Sequence, residues 1–204
     1  MNKFIVIEGL DGSGKTTITK MFGEKLTTKN IPCHTTFEPT NNPIGRLIRQ
    51  MLSGDISMEN ETAALLFAAD RYEHLTKEII PTLKHSHVIC DRYYYSNIAY
   101  QGLDAESLNR VISYNREVMN IHKPDAVFFL DISPEECMRR ILQRGRELSI
   151  YETQNELELR YERYQAAISE MEKAENVIKV GTDTDTPQQI VDKLWSEYEK
   201  LFCS

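Results

Sequence analysis

Basic residues are in short supply. The 204 residues hold 24 Lys and Arg against 31 Asp and Glu, a formal net charge of −7. An electrostatic grip on a nucleic-acid backbone needs a broad basic surface. No nucleic-acid polymer is therefore expected as a partner, although a local basic pocket for a small anion stays open. Cysteine is scarce as well: Cys33, Cys90, Cys137 and Cys203 make no CxxC pair and no Cys/His cluster at zinc spacing. That excludes a disulfide mini-scaffold. Cys90 and Cys137 lie in apolar contexts and read as packed thiols, which suits a reducing cytoplasm. Long apolar runs are missing too. A run such as Ala126–Leu130 is far too short to cross a bilayer, and the opening Phe4-Ile5-Val6-Ile7 is strand-like, with no h-region or cleavage site. The expectation is a cytoplasmic protein with no membrane contact. What remains, 41% hydrophobic and 27% charged residues, is the composition of a globular chain long enough to bury a core, read as one domain over 1–204.

Five short apolar runs, Lys3–Glu8, His34–Glu38, His87–Asp91, Asp125–Asp131 and Asn176–Val180, alternate with helical patterns. Several are continuously apolar, as strands buried on both faces are. The expected fold is α/β: a three-layer arrangement with a five-stranded parallel sheet and helices on both faces. Ser133-Pro134-Glu135-Glu136 and Thr186-Pro187-Gln188-Gln189 read as capping boxes with proline at the first helical position. The last helix puts Ile190, Val191, Leu194, Trp195, Tyr198 and Leu201 on one core-facing stripe, and Glu156–Lys173 repeats the pattern with Leu157, Tyr161, Tyr164, Ile168 and Met171. Asn41-Asn42-Pro43 reads as a loop.

The first strand runs into Gly9-Leu10-Asp11-Gly12-Ser13-Gly14-Lys15-Thr16, which fits G-x-x-x-x-G-K-[ST] at every fixed position. Glycines let backbone N–H groups turn inward around phosphate oxygens, and the helix that follows adds its positive end. Lys15 is placed for the β- and γ-phosphates and the Thr16 hydroxyl for Mg²⁺. Asp11, an acid inside an anion-binding loop, is either a solvent-facing loop residue or a carboxylate held near an acceptor.

His87–Asp91 ends in Asp91-Arg92 at the carboxyl end of a strand, where ligands of open α/β sheets collect. Asp91 can ligate Mg²⁺ or sit behind it, and Arg92 can grip a phosphate at two points. The tyrosines of Tyr93-Tyr94-Tyr95-Ser96-Asn97-Ile98-Ala99-Tyr100-Gln101-Gly102 suit either a flat polar-edged ligand or a packed helix start. Arg71, on an apolar turn with Phe67, favours a snorkelling surface charge over a cleft-facing group. Arg139–Arg146 carries four arginines in an acidic chain. It reads as a solvated helix face or as a cover, within about 139–152, that closes over phosphates and excludes water.

In chain order, Ile7-Glu8-Gly9 through Thr16, Phe37-Glu38-Pro39, Phe67 through Arg71, Asp91-Arg92-Tyr93 with Ser96, Ala99-Tyr100-Gln101-Gly102, Lys123-Pro124-Asp125, Leu130-Asp131 and Arg144-Gly145-Arg146 resemble the thymidylate kinases, of the bacterial type. The resemblance spans residue 3 to about 165. It implies transfer of the γ-phosphate of ATP to dTMP, with Mg²⁺, in a homodimer. It gives Gly9, Leu10, Asp11, Gly12, Ser13, Gly14, Lys15, Thr16 and Thr17 to ATP, and Thr16 and Asp91 to the metal. Glu38, Pro39, Phe67, Arg71, Arg92, Ser96, Asn97, Tyr100 and Gln101 fall to the acceptor, with Phe67 stacked on thymine and Tyr100 where a ribose 2′-OH would project. Asp11, Lys15, Arg92 and the lid arginines Arg144 and Arg146 become the catalytic set. Gly12, in place of an arginine, fits a lid that supplies the arginine. Where many bacterial members read Arg-Glu-Pro-Gly-Gly, this chain has Phe37-Glu38-Pro39-Thr40-Asn41, a loop of different shape. A deoxynucleoside kinase and a nucleotide-binding switch with no acceptor are the alternatives; the absence of an Asn-Lys-x-Asp signal weighs against a GTPase.

Overall fold

Five parallel strands form one sheet in the order β2-β3-β1-β4-β5. They are β1 (Phe4–Gly9), β2 (Cys33–Phe37), β3 (His87–Asp91), β4 (Ala126–Asp131) and β5 (Val177–Gly181). The computed structural model describes residues 1–143, 145 and 153–203. Arg144, Arg146 and most of the expected lid lie outside these residues.

The strand pattern follows from position in the sheet. β1 and β3 are buried along their whole length, and β4 up to Asp131. Edge strand β2 is mostly exposed, which its polar run His34-Thr35-Thr36 allows. Alternate side chains feed two cores. Ile5, Ile7, Ile89, Phe128 and Leu130 pack with α1 (Lys15–Thr28) and α9 (Pro187–Phe202). Phe4, Val6, Val88, Cys90, Val127 and Phe129 face the opposite layer. That layer contains α3 (Asn60–His74), α5 (Tyr94–Gln101), α6 (Ala105–Ile121), α7 (Pro134–Gln143) and α8 (Gln154–Met171). Helix α2 (Pro43–Leu52) packs on α3 in a satellite cluster around Ile48, Met51 and Ala63. A π-helical turn, Leu75–Ile79, and the short α4, Ile80–Leu83, link α3 to β3. The expected three layers are observed.

Some local expectations need correction. Pro43 is not in a loop; it opens α2, where a missing N–H costs nothing. The Thr186–Gln189 capping box forms in full. At Ser133 only half of it does: the Ser133 hydroxyl accepts from Glu136 N at 3.3 Å, but the Glu136 carboxylate turns to Arg139 and Arg140 instead. Leu201 is exposed, and Phe202 takes its place against the core. Tyr93, Tyr94 and Tyr95 are fully buried, so the packed helix start is the correct reading for these three. Cys90 and Cys137 are buried free thiols.

Candidate active site

The phosphate loop leaves β1 at Gly9 and enters α1 at Lys15. Gly12 and Gly14 have φ of 86° and 90°, a region that other residues rarely adopt. Gly12 has a second constraint: a Cβ there would lie 2.6 Å from the Cys137 carbonyl oxygen of α7. With α7 seated on the loop, no arginine fits at position 12. The Leu10 side chain is fully buried in the core, so Leu10 serves the loop only through its backbone. Its carbonyl accepts from Ser13 N at 3.2 Å and from Lys15 Nζ at 2.6 Å. Burial, reinforced by the nearby Arg92 charge, lowers the Lys15 pKa to about 8 against the pull of Asp11, Asp91 and Glu8.

Thr16 Oγ1 donates to Asp91 Oδ2 at 2.6 Å, which ties α1 to the end of β3. Asp91 Oδ1 is buried and has no hydrogen-bond partner among the described residues. An orphaned carboxylate oxygen beside a hydroxyl is a hard oxygen donor set of the kind that suits Mg²⁺. Both residues line a cavity of about 410 Å³ that also meets Asp11, Lys15, Glu38 and Arg92. On the other side of the loop a second cavity, about 400 Å³, is bordered by Gly14, Thr17, Arg139, Arg140, Asp185 and Pro187. Arg139 and Arg140 are held there by Glu136.

Arg92 is the first residue beyond β3 and has φ of 70°, sparsely populated for any residue with a side chain. Such strain, of the order of 1–3 kcal/mol, persists only where the surroundings fix it. Arg92 N donates to Ile7 O at 3.0 Å. The guanidinium pairs with Asp11, donates to Ser96 Oγ at 3.0 Å, and lies 5.4 Å from the centre of the Tyr100 ring. Tyr100 OH donates to Asp11 Oδ2 at 2.7 Å. Burial pushes the Asp11 carboxyl up, but Arg92, Lys15 and the Tyr100 hydroxyl together outweigh it and hold the pKa at about 2. Asp11 is thus turned inward onto Arg92 and Tyr100 rather than out to solvent, with a quarter of its side chain still exposed.

Glu8, in the sequence no more than a neighbour of the phosphate loop, organises this end of the sheet. It accepts from Tyr93 N at 2.7 Å, Ser96 N at 3.1 Å, Ser96 Oγ at 2.7 Å and Tyr164 OH at 3.0 Å. Burial pushes its carboxyl pKa up, against the pull of Arg92. Glu8 thereby fixes the start of α5 and both hydroxyls that flank Arg92. The signal was present in the sequence: an acid in an otherwise apolar strand needs a buried partner. Tyr164 and Arg160 also reach the site from α8, with the Arg160 guanidinium 4.8 Å from the Tyr100 ring centre. The helix stripe placed Tyr164 in the core but carried no hint of its hydroxyl's task.

Glu38 leads from the cavity into a buried polar network. Its carboxylate meets Arg71 Nη2 at 2.7 Å and His74 Nδ1 at 3.0 Å. Arg71 Nη1 donates to Asn115 Oδ1 at 2.6 Å and to Asn97 Oδ1 at 3.2 Å, and Asn97 donates to Gln101 Oε1 at 3.0 Å. Arg71 is only 1% exposed, which corrects the surface reading. Its charge is paired and stacked 5.3 Å from the Tyr93 ring centre rather than snorkelling. Phe67 sits one turn before Arg71 and packs on the α2 satellite cluster. Neither Phe67 nor Arg71, Asn97, Tyr100 or Gln101 is in the cavity lining with Glu38.

The altered loop has its own supports. Thr40 donates from N and Oγ1 to the buried Asp70 carboxylate at 2.8 and 2.6 Å. Arg49 of α2 donates to Pro39 O at 2.6 Å and Thr40 O at 2.9 Å, with its guanidinium 5.5 Å from the Phe37 ring centre. An arginine therefore reaches this loop from α2 rather than from position 37.

A Gly-x-x-x-x-Gly-Lys-Thr loop at one strand end, faced by a guanidinium from the neighbouring strand end, is the arrangement of the P-loop phosphotransferases. The sequence matches the thymidylate kinase family profile over residues 7–193. A probable thymidylate kinase of Methanococcus vannielii is 41% identical over 196 residues, 95% of this chain and 94% of its own. The thymidylate kinase of Leptospira borgpetersenii is 39% identical over 156 residues, 76% of each chain. The thymidylate kinase structure from Candida albicans superposes with a TM-score of 0.80 at 28% identity, covering 98% of this chain and 92% of the other. This chain belongs to the thymidylate kinase family, enzymes that use ATP as co-substrate. No helix among the described residues is long and apolar enough to cross a membrane.

Proposed function

We propose that the protein transfers the γ-phosphate of ATP to dTMP, giving dTDP. One observation carries the assignment of roles: Lys15 and Arg92 face a single cavity from adjacent strand ends. Lys15, freed from the Leu10 carbonyl, neutralises the β- and γ-phosphates of the donor. Arg92 holds the acceptor phosphate. Asp11, ionised down to about pH 2, keeps the Arg92 side chain in place and yields to the incoming monoester. Thr16 and Asp91 would hold Mg²⁺, which when bound spreads the charge of the transferred group. Little covalent chemistry is asked of the protein, so positioning and charge neutralisation supply the rate.

The nucleoside end of the acceptor is assigned to the wall behind Glu38. Arg71 Nε and Gln101 Nε2 are buried donors without a hydrogen-bond partner among the described residues, and the carbonyl edge of a pyrimidine supplies acceptors. Phe67 is assigned to stack on the base, and Tyr100 to the sugar. Arg144 and Arg146 are assigned to the lid. The donor nucleoside is assigned to the second cavity, beside Arg139 and Pro187. The chain is proposed to act in the cytoplasm as a homodimer, a reading supported by Leu65 and Tyr72, both exposed and two turns apart on α3.

A coupled assay with ATP and Mg²⁺ against dTMP, dUMP, thymidine and the purine monophosphates tests the assignment. Turnover of dTMP above the others is expected. Turnover of thymidine alone, or ATP hydrolysis that no monophosphate accelerates, would overturn it.

A further inference from the structure

His74 is a fully buried histidine with no part in the reading above. It closes α3 one turn after Arg71, so both side chains come off one face of the helix and both meet Glu38. The two contacts use different carboxylate oxygens: His74 Nδ1 is 3.0 Å from Oε1, and Arg71 Nη2 is 2.7 Å from Oε2. The remaining groups around the ring come from three further elements. Thr36 Oγ1 of β2 is 2.8 Å from His74 Nε2, Glu78 Oε1 of the π-helical turn is 3.8 Å away, and Cys90 of β3 lies close by.

Glu38, His74 and Cys90 have the donor types of a metal site, with ligand atoms within 4.8 Å of one another. The charges argue against that use. Both ring nitrogens are taken by Glu38 and Thr36, Arg71 already neutralises Glu38, and burial pushes the Cys90 thiol pKa well up, away from the thiolate a metal needs.

We propose that His74 is a positioning residue for the acceptor site: its Nδ1 contact pins Glu38 Oε1, which leaves only Oε2 for Arg71 and so directs the rest of the Arg71 guanidinium toward Asn97 and Asn115. Without His74, the Glu38 carboxylate is free to rotate fully onto Arg71, and the two-residue wall loses its fixed geometry. The inference rests on the assignment of Glu38 and Arg71 to the acceptor. The protonation state agrees with it. Burial works against the charge, but the hydrogen bond to Glu38 and the nearby Glu78 carboxylate raise the His74 pKa to about 9, so both ring nitrogens donate at neutral pH, to Glu38 and Thr36.

Steady-state kinetics on the full-length protein test the idea with His74→Leu, His74→Asn, His74→Gln, Glu38→Gln and Arg71→Ala. Loss of a charge-assisted hydrogen bond predicts that His74→Leu raises KM for dTMP about tenfold or more, with KM for ATP changed less than about twofold. His74→Asn places its amide near the Nδ1 position and restores much of the loss; His74→Gln, whose amide falls near Nε2, does not. A merely structural histidine would shift the melting temperature without this split, and Asn and Gln would then behave alike. Equal rescue by both, or an unchanged KM for dTMP in His74→Leu, overturns the proposal. If the Leu variant does not fold, the Asn and Gln pair decides. If Glu38→Gln and Arg71→Ala also leave KM for dTMP unchanged, the acceptor-site assignment falls with it. If those two raise it and the His74 variants do not, only the role of His74 falls.

Discussion

Asp11 and Arg92 form an ion pair across the gap between the phosphate loop and the end of β3. The pair holds Arg92 where an acceptor phosphate is proposed to bind and leaves the phosphate to compete with a carboxylate for the same guanidinium. Arg92→Ala is therefore expected to raise KM for dTMP at least about tenfold, the worth of a charge-assisted hydrogen bond, while KM for ATP stays within about twofold. Initial-rate kinetics with each substrate varied in turn check this. Equal effects on both would remove Arg92 from the acceptor side.

Lys15 is buried and carries a depressed pKa, so its removal relieves a desolvated charge. Lys15→Ala is expected to lower kcat by about 100-fold or more, the scale of one lost charge-stabilising donor, with no loss of thermal stability. Turnover and a melting curve on the same preparation separate the two effects.

Glu8 accepts four hydrogen bonds from three residues inside the protein. Glu8→Ala leaves those donors buried and unmade and is expected to cost about 3 kcal/mol or more. Urea unfolding checks the magnitude. A loss below about 1 kcal/mol would mean that water or relaxation replaces Glu8.

The His74 pKa, raised from 6.5 to about 9, gives stability a pH signature. The folded state holds a proton more tightly than the unfolded chain, so the contribution is complete below about pH 6.5 and is lost as pH rises through about 9. Lys15 works in the opposite sense above about pH 8, where its folded form has given up a proton that the unfolded chain keeps. His87, whose pKa burial lowers from 6.5, also opposes His74 near pH 6.5, so the His74 contribution is read between about pH 6.5 and 8 as the difference between the wild type and His74→Leu. Urea midpoints are expected to fall across this range, and the fall is expected to flatten in His74→Leu.

The architecture was legible because strand burial and helix periodicity depend on side-chain polarity alone, which the sequence displays. β1 and β4 read as continuous apolar runs because both faces are covered, and all five strands were placed to within a residue or two. The phosphate loop was legible for a different reason: its glycines answer a backbone demand, seen at Gly12 and Gly14. The rest of the site depends on pairing across the chain. Glu8 and Tyr164 are separated by 156 residues, and Thr40 and Asp70 by 30. No local pattern announces which buried polar groups will meet. Arg71 was misread for the same reason, since its partners Glu38, Asn97 and Asn115 come from three other segments.

The most direct test is a crystal structure of the protein with dTMP bound. The account predicts phosphate oxygens within hydrogen-bond distance of the Arg92 guanidinium, with the Asp11 contact shared or displaced. A dTMP phosphate bound elsewhere, with the Asp11–Arg92 pair intact, would contradict it.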